Sequence, residues 1–278
     1  MDQYRPGGFS ILPPVVKNLL IINGLFFLAT YAAGSSFGID LIDTLGLHYF
    51  AADKFSPYQF ITYMFMHGGP MHIFFNMFAL WMFGNALENV WGPKRFLIYY
   101  LITGIGAAIV HYVVFYFQIS PVIHALDGFL NNPNNAALQS LFNNGYVNLS
   151  RGHDEINNLV NDFLPQYNAL VKTDPGKAMQ LATEFIVNYR TAFLNAPVVV
   201  GASGAVFGIL LAFGMMFPNS VIYLYFAIPI KAKYFVILYG ALELFSGIYD
   251  TGSNVAHFAH LGGMIFGYFV LMYWKRRR

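Results

Sequence analysis

No cysteine occurs in the 278 residues, and only 10% of them are charged. The first absence removes disulfide frameworks, thiolate nucleophiles and cysteine-ligated zinc, while leaving the compartment open. The second excludes ordinary soluble enzymes and disordered chains, because soluble domains carry about 25% charged residues. Net charge is only +2, so no general attraction to nucleic acid follows and none is expected as a partner. Apolar residues are what the chain has in excess: 57% are hydrophobic, 18% aromatic, and the mean hydropathy is +0.51. That balance points to lipid as the surrounding medium.

A spanning helix needs about 20 mostly apolar residues. Six runs are candidates, at residues 18–34, 70–90, 96–117, 197–217, 234–249 and 255–274, the fifth being short and carrying Glu243. Glycines within them (Gly104, Gly106, Gly204, Gly208, Gly263, Gly267) suit close helix contact in lipid. The first run follows Arg5 and Lys17 and ends in Ala32-Ala33-Gly34, an outline shared with signal peptides. A retained helix is expected, because its removal would spoil the charge pattern. Arg5, Lys17, Lys94, Arg95, Lys231, Lys233 and Lys275 to Arg278 all fall on one side of a six-span arrangement, ten of the 15 basic residues. The other side holds Lys54, Arg151, Lys172, Lys177 and Arg190 among ten acids, Asp250 included. Both termini are therefore expected in the cytoplasm.

The connection between the third and fourth runs is about 80 residues long, far beyond an ordinary loop. Pro133 among asparagines reads as a turn, residues 154–170 as a helix interrupted by Pro165, and Asp174-Pro175 as the cap and first turn of a helix to about Leu194. The organisation expected is residues 1–117 for spans one to three, 118–196 for a small, mostly helical external insertion, and 197–278 for spans four to six. The fold class is all-α: a polytopic membrane protein with six transmembrane helices.

Polar side chains inside spans are costly and ask for a partner or a purpose. Three clusters stand out. Gly201-Ala202-Ser203-Gly204 opens run four; a patch of small residues for helix packing is the plain alternative to an activated serine. His257 and His260 open run six, three residues apart on one face; metal binding would want a third protein ligand, and no HExxH stretch offers one. His72 and Asn76 enter run two at i and i+4, as a mutual helix tie or as two donors for an oxyanion. Runs two, four and six all descend from the external side. With Ser203 about six residues into its run and His260 about five, both lie roughly 8–9 Å below the helix start, and His72 and Asn76 sit at a similar level. Independent packing accidents would not share a depth. Ser203 is then the expected nucleophile, His260 its base, and His72, Asn76 and the Ser203 N–H the oxyanion donors. No acidic residue obviously orients His260, so a dyad is expected, with Glu88 and Glu243 structural.

At these residues the sequence resembles the rhomboid intramembrane serine proteases: Gly201-Ala202-Ser203-Gly204, Ala259-His260 followed by Gly263 and Gly267, and His72 with Asn76 followed by Glu88. The resemblance implies a six-helix rhomboid-like bundle with a water-filled cavity opening outward and a Ser203–His260 dyad, with His260 rather than His257 at the family's spacing. It implies His72 and Asn76 in the oxyanion hole and a gating part for span five. Substrates would be single-pass or other transmembrane proteins cut in or near a spanning helix, with no metal or other cofactor. The expected location is a bacterial plasma (inner) membrane, with the site facing outward. Two departures stand in the motifs. Tyr58-Gln59 replaces a tryptophan-arginine pair of the first external loop, and Phe207 stands where some members carry tyrosine against the catalytic histidine. The external insertion is a third departure, with no role implied by the family. A catalytically inactive rhomboid-like binding or chaperone module is the rival; keeping both Ser203 and His260 argues against it. A transporter is the second rival, and the absence of inverted sequence symmetry argues against that.

Overall fold

The computed structural model describes residues 10–147, 154–224, 227–249 and 256–276. Arg5, Arg151, Asp250, Val255, Arg277 and Arg278, used above for orientation and span limits, lie outside the described residues.

The order begins α1 (Pro14–Phe37), α2 (Leu41–Leu45), α3 (Gln59–Thr62), a 3₁₀ turn (Tyr63–Phe65) and α4 (Pro70–Ala79). A π turn (Leu80–Gly84) carries α4 into α5 (Asn85–Trp91), followed by α6 (Pro93–Asn131), α7 (Asn135–Asn143), α8 (Asp154–Leu170) and α9 (Pro175–Asn195). Then come α10 (Ser203–Met216), an antiparallel hairpin of β1 (Val221–Leu224) and β2 (Ile228–Lys231), α11 (Ala232–Tyr249) and α12 (His257–Arg276). Proline opens α1, α4, α6 and α9, where its fixed φ suits a first turn and its missing N–H costs nothing.

Three boundaries differ from the sequence expectation. Helix α6 does not stop near residue 117 but runs through Pro121 to Asn131, because buried Ile119, Leu126 and Phe129 continue its apolar face. Helix α8 is not interrupted at Pro165; Ile156, Val160 and Phe163 bury one stripe ahead of the proline, and the helix carries on through it to Leu170 despite the lost hydrogen bond. Helix α10 begins at Ser203, not at Pro197, since Val198–Val199 is extended and Gly201 has φ +123°, outside any helix. Ser203 is thus the first helical residue rather than one lying six residues deep.

Two helices are long and apolar enough by themselves to cross a membrane, α1 and α6, among the described residues. The second apolar run is divided by the π turn. Helix α10 has 14 residues, about 21 Å at 1.5 Å per residue. Lys275 and Arg276 dilute the apolar end of α12.

The chain divides into two compact units. The first comprises Met1–Leu47, Pro57–Val113 and Val199–Arg278. Its centre is α10, most of whose side chains are buried. A side chain at Gly263 of α12 would strike the Gly204 carbonyl, one at Gly208 would meet Thr103, and one at Gly267 would meet the Tyr99 hydroxyl. The backbones therefore approach as closely as small residues allow. Tyrosine hydroxyls tie the same layer, Tyr99 donating to the Gly208 carbonyl at 2.8 Å and Tyr63 to that of Gly104 at 2.7 Å.

The second unit comprises His48–Ser56 and Val114–Val198. Phe163 of α8 stacks on Phe185 of α9, centroids 4.1 Å apart and planes 10° from parallel. Arg190 pairs with Asp127 at 2.8 Å, and the Asp174 side chain accepts from the Lys177 N–H as the cap of α9. Pro133 lies in the turn between α6 and α7.

Candidate active site

The first unit gathers the polar residues of four helices. Ser203 sits at the amino end of α10, where unpaired N–H groups and the helix dipole favour developing negative charge. Its Oγ lies 2.8 Å from Nε2 of His260, the fourth residue of α12. The opposite ring nitrogen, Nδ1, is 2.9 Å from Oε2 of Glu243 on α11. His257 Nδ1 lies 2.7 Å from that same oxygen. Glu243 does link helices, as expected of a structural acid; but the expectation that no acid orients His260 is corrected. The sequence puts Glu243 near the level of His260 but does not give the rotation of α11 against α12.

A carboxylate can only accept, so His260 Nδ1 carries the proton when the ring is neutral, leaving Nε2 a lone pair for the Ser203 hydroxyl. Phe207, one turn beyond Ser203, lies flat on the imidazole, with centroids 4.3 Å apart and planes 5° from parallel. His260 is held on three sides.

Gly201 allows a further approach. Its φ of +123° suits glycine, and its N–H donates to the Tyr63 carbonyl at 2.9 Å. A Cβ there would lie 2.7 Å from His72 Nε2 and 3.7 Å from Ser203 Oγ. Only a bare backbone lets the His72 ring reach the neighbourhood of the serine. His72 Nδ1 accepts a long hydrogen bond, 3.4 Å, from the Gly68 N–H, which puts the His72 proton on Nε2. That leaves a donor facing Gly201. Asn76, one turn further along α4, is buried. Ser203, His260, His72 and the Gly201 backbone thus converge, while Gly204, Gly263 and Gly267 serve helix contact. Glu88 lies elsewhere: its two oxygens accept from the N–H groups of Val15 and Val16 at 2.9 and 2.8 Å, capping α1 with a remote carboxylate.

Residues 54–128 and 177–277 match the family model described as the Rhomboid domain, well over half of the chain. The chain belongs to the rhomboid family. Among relatives, it is 39% identical over 56 residues to "Rhomboid protease GluP" of Bacillus subtilis (strain 168), covering 20% of this chain and 11% of that protein. It is 36% identical over 98 residues to "Rhomboid-like protein 11, chloroplastic" of Arabidopsis thaliana, 33% of this chain and 34% of that one. It is 34% identical over 83 residues to "Rhomboid protease GlpG" of Salmonella newport (strain SL254), 28% of this chain and 29% of that one. The chain therefore spans at most about a third of the length of these three relatives. Rhomboids are integral, polytopic membrane proteins, and the family includes intramembrane serine proteases as well as inactive members.

Of the rhomboid motif departures, Tyr58 and Gln59 both anchor on the Thr44 carbonyl, by the tyrosine hydroxyl at 3.3 Å and the glutamine amide at 3.2 Å. Phe207 stacks without a hydroxyl, as noted above. Two residues near the rhomboid site have a place there that the sequence reading did not assign: Glu243, taken as structural only, and His67. Glu243 lies six residues before the end of α11 and His260 three after the start of α12, so both fall within two turns of one short connection. That shared level was a readable signal. His67, buried and edge-on to His72 at 5.0 Å, carried none.

Proposed function

We propose that this rhomboid is an intramembrane serine endopeptidase that hydrolyses peptide bonds in or near the spanning segments of other membrane proteins. The observation that carries the reading is the 2.8 Å contact between Ser203 Oγ and His260 Nε2 at the amino end of α10. Ser203 Oγ attacks the scissile carbonyl while its proton passes to His260 Nε2; the same proton then goes to the leaving amine, and water repeats the sequence on the acyl-enzyme. The His72 Nε2–H, the Asn76 amide and the Ser203 N–H are the donors this reading assigns to the oxyanion.

The membrane reading has six crossings: α1, α4 with α5, the first part of α6, α10, α11 and α12. Its support is the large apolar side chains exposed along all but the central helix, among them Leu28, Phe74, Val113, Leu242, Phe245 and Phe269, which lipid would cover. The charge pattern supports cytoplasmic termini and a site toward the external face; the location this reading takes is the bacterial plasma membrane, as for the bacterial relatives. The reaction needs no cofactor. A fluorophosphonate probe tests the reading directly: it should label Ser203 in the intact protein, and Ser203→Ala should lose both labelling and cleavage of single-span substrates. A Ser203→Ala protein that still cleaved at full rate would overturn it.

A further inference from the structure

We infer that Glu243 is a positioning residue for His260, extending the nucleophile–base pair into a three-membered hydrogen-bonded line. The inference rests on the serine-protease reading above. Ser203 Oγ, His260 Nε2, His260 Nδ1 and Glu243 Oε2 follow in order, with polar separations of 2.8 and 2.9 Å. Each end of the imidazole thus meets the partner its chemistry requires: a carboxylate that only accepts, and a hydroxyl that donates. Swapping the tautomer would set a lone pair against the carboxylate and leave Nε2–H, which can donate to the serine oxygen but cannot take its proton. Glu243 therefore selects the one tautomer able to take the serine proton.

Its second contact explains why the carboxylate stays in place. His257 sits one turn before His260 on the same face of α12 and reaches Oε2 from its own side at 2.7 Å. Two N–H donors on one oxygen leave the carboxylate little freedom to turn away. Intramembrane acids are costly and seldom idle, and Glu243 is almost fully buried.

The proton balance is simple. As the Oγ–carbon bond forms, the serine proton moves to His260 Nε2, and the ring becomes an imidazolium with N–H groups at both ends. Glu243 remains ionised and stabilises that cation; no proton passes to it. When the amine leaves, it takes the Nε2 proton, and the ring returns to the tautomer it began with.

The same three residues put three ligand atoms within 4.8 Å of one another, a spacing a metal ion could use. Hydrogen-bond distances already account for the cluster. A metal on His260 Nδ1 would moreover force the remaining proton onto Nε2, where it would block acceptance from Ser203. Metal occupancy and catalysis through His260 exclude each other.

The test uses the full chain in detergent or liposomes, with a single-span substrate, thermal melting and fluorophosphonate labelling measured together. Glu243→Gln keeps the size of the side chain and removes its charge. It should lower kcat at least tenfold, and toward the 10⁴-fold of other triads that lose their carboxylate on the order-of-magnitude scale. KM and the melting temperature should stay close to the parent's. Glu243→Asp, which keeps a carboxylate one methylene short, should recover part of the rate, and it serves as the second variant if the glutamine form folds poorly. Glu243→Gln with full kcat, or a rate loss no larger than expected from a matching fall in melting temperature, overturns the inference. So does activity abolished by EDTA and restored by zinc. Inclusion of Ser203→Ala separates the two levels: if that variant cuts normally, the protease reading itself fails, whereas an inert Ser203→Ala beside an unimpaired Glu243→Gln removes only the role of Glu243.

Discussion

Phe207 and His260 lie face to face, their ring planes 5° from parallel and their centroids 4.3 Å apart. The contact is made between neighbouring helices α10 and α12, and it fixes the plane in which the imidazole turns. Ser203 and Glu243 then set its direction within that plane. Such a ring pair contributes about 0.5–1.5 kcal/mol beyond its burial. If that energy is spent on orientation, Phe207→Ala should lower kcat about two- to tenfold with little change in KM, and Phe207→Tyr should stay near the parent rate. Equal kcat for Phe207→Ala and parent would reduce the stack to packing.

The oxyanion donors give a sharper expectation. Removing one such donor costs about 2.7–4 kcal/mol in other serine enzymes, or 10²–10³ in kcat. His72→Ala and Asn76→Ala should each show a loss of this order while still binding substrate. Gly201→Ala should fail for a different reason: its Cβ would sit 2.7 Å from His72 Nε2, on a backbone at φ +123°. It should lose activity and melt at lower temperature, whereas His72→Ala should lose activity alone. Cleavage kinetics beside melting curves distinguish the two patterns.

Much of this site is legible in the sequence. The six apolar runs each contain a helix, and the pairing of Ser203 with His260 follows from residue types near the start of two of those runs. Their depth did not follow, because the level was counted along ideal helices, and residues 197–202 are not helical: a proline, extended valines and Gly201 set the start of α10 at Ser203. The place of Glu243 was missed for a related reason. Hydropathy reports that a residue lies in a span, but the face it presents depends on how α11 turns against α12. The run of α6 past residue 117 lies beyond the continuous apolar stretch, and burial of Leu126 and Phe129 carries the helix on through Pro121.

Glu88 makes a prediction about stability rather than catalysis. Its carboxylate accepts from two N–H groups in the first turn of α1, which has no cap from its own Pro13. Glu88→Ala strands both donors, and each buried unsatisfied group costs about 1–3 kcal/mol. The melting temperature should fall clearly, while the folded fraction keeps its reactivity toward a fluorophosphonate at Ser203. Glu88→Gln, with one acceptor oxygen left, should fall between. Lost labelling in a well-folded Glu88→Ala protein would contradict a purely structural part.

His67 gives the pH dependence its sign. Its ring is buried beside His72, with a backbone hydrogen bond at Phe65 that only partly offsets the loss of water. Burial, with help from His72 nearby, pushes its pKa from 6.5 down to about 4. Between those values the unfolded chain binds a proton that the folded chain refuses, so stability rises with pH across this window and is lost on acidification. Melting temperatures taken from pH 7 down to pH 4.5 should drop, and His67→Gln should flatten the drop. A parallel decline in both proteins would place the acid-sensitive group elsewhere.

The second unit offers the last prediction. Family resemblance covers it incompletely, the matched residues stopping at 128 and resuming at 177. It nevertheless has a core of its own, in which Phe163 stacks on Phe185 at 4.1 Å, lies parallel to Phe142 at 6.5 Å and touches Tyr167 at 5.2 Å. Truncating a buried phenylalanine costs about 3–5 kcal/mol, enough to loosen a small helical unit. Phe163→Ala should therefore expose the chain around α8 to limited proteolysis. Because Ser203, His260 and Glu243 all belong to the first unit, fluorophosphonate labelling of Ser203 should persist. Cleavage of a panel of single-span substrates then decides what the unit is for. A change in which substrates are cut, with labelling intact, identifies a recognition role; an unchanged panel leaves a spacer; and loss of labelling in an otherwise folded protein would mean that the second unit helps to build the site.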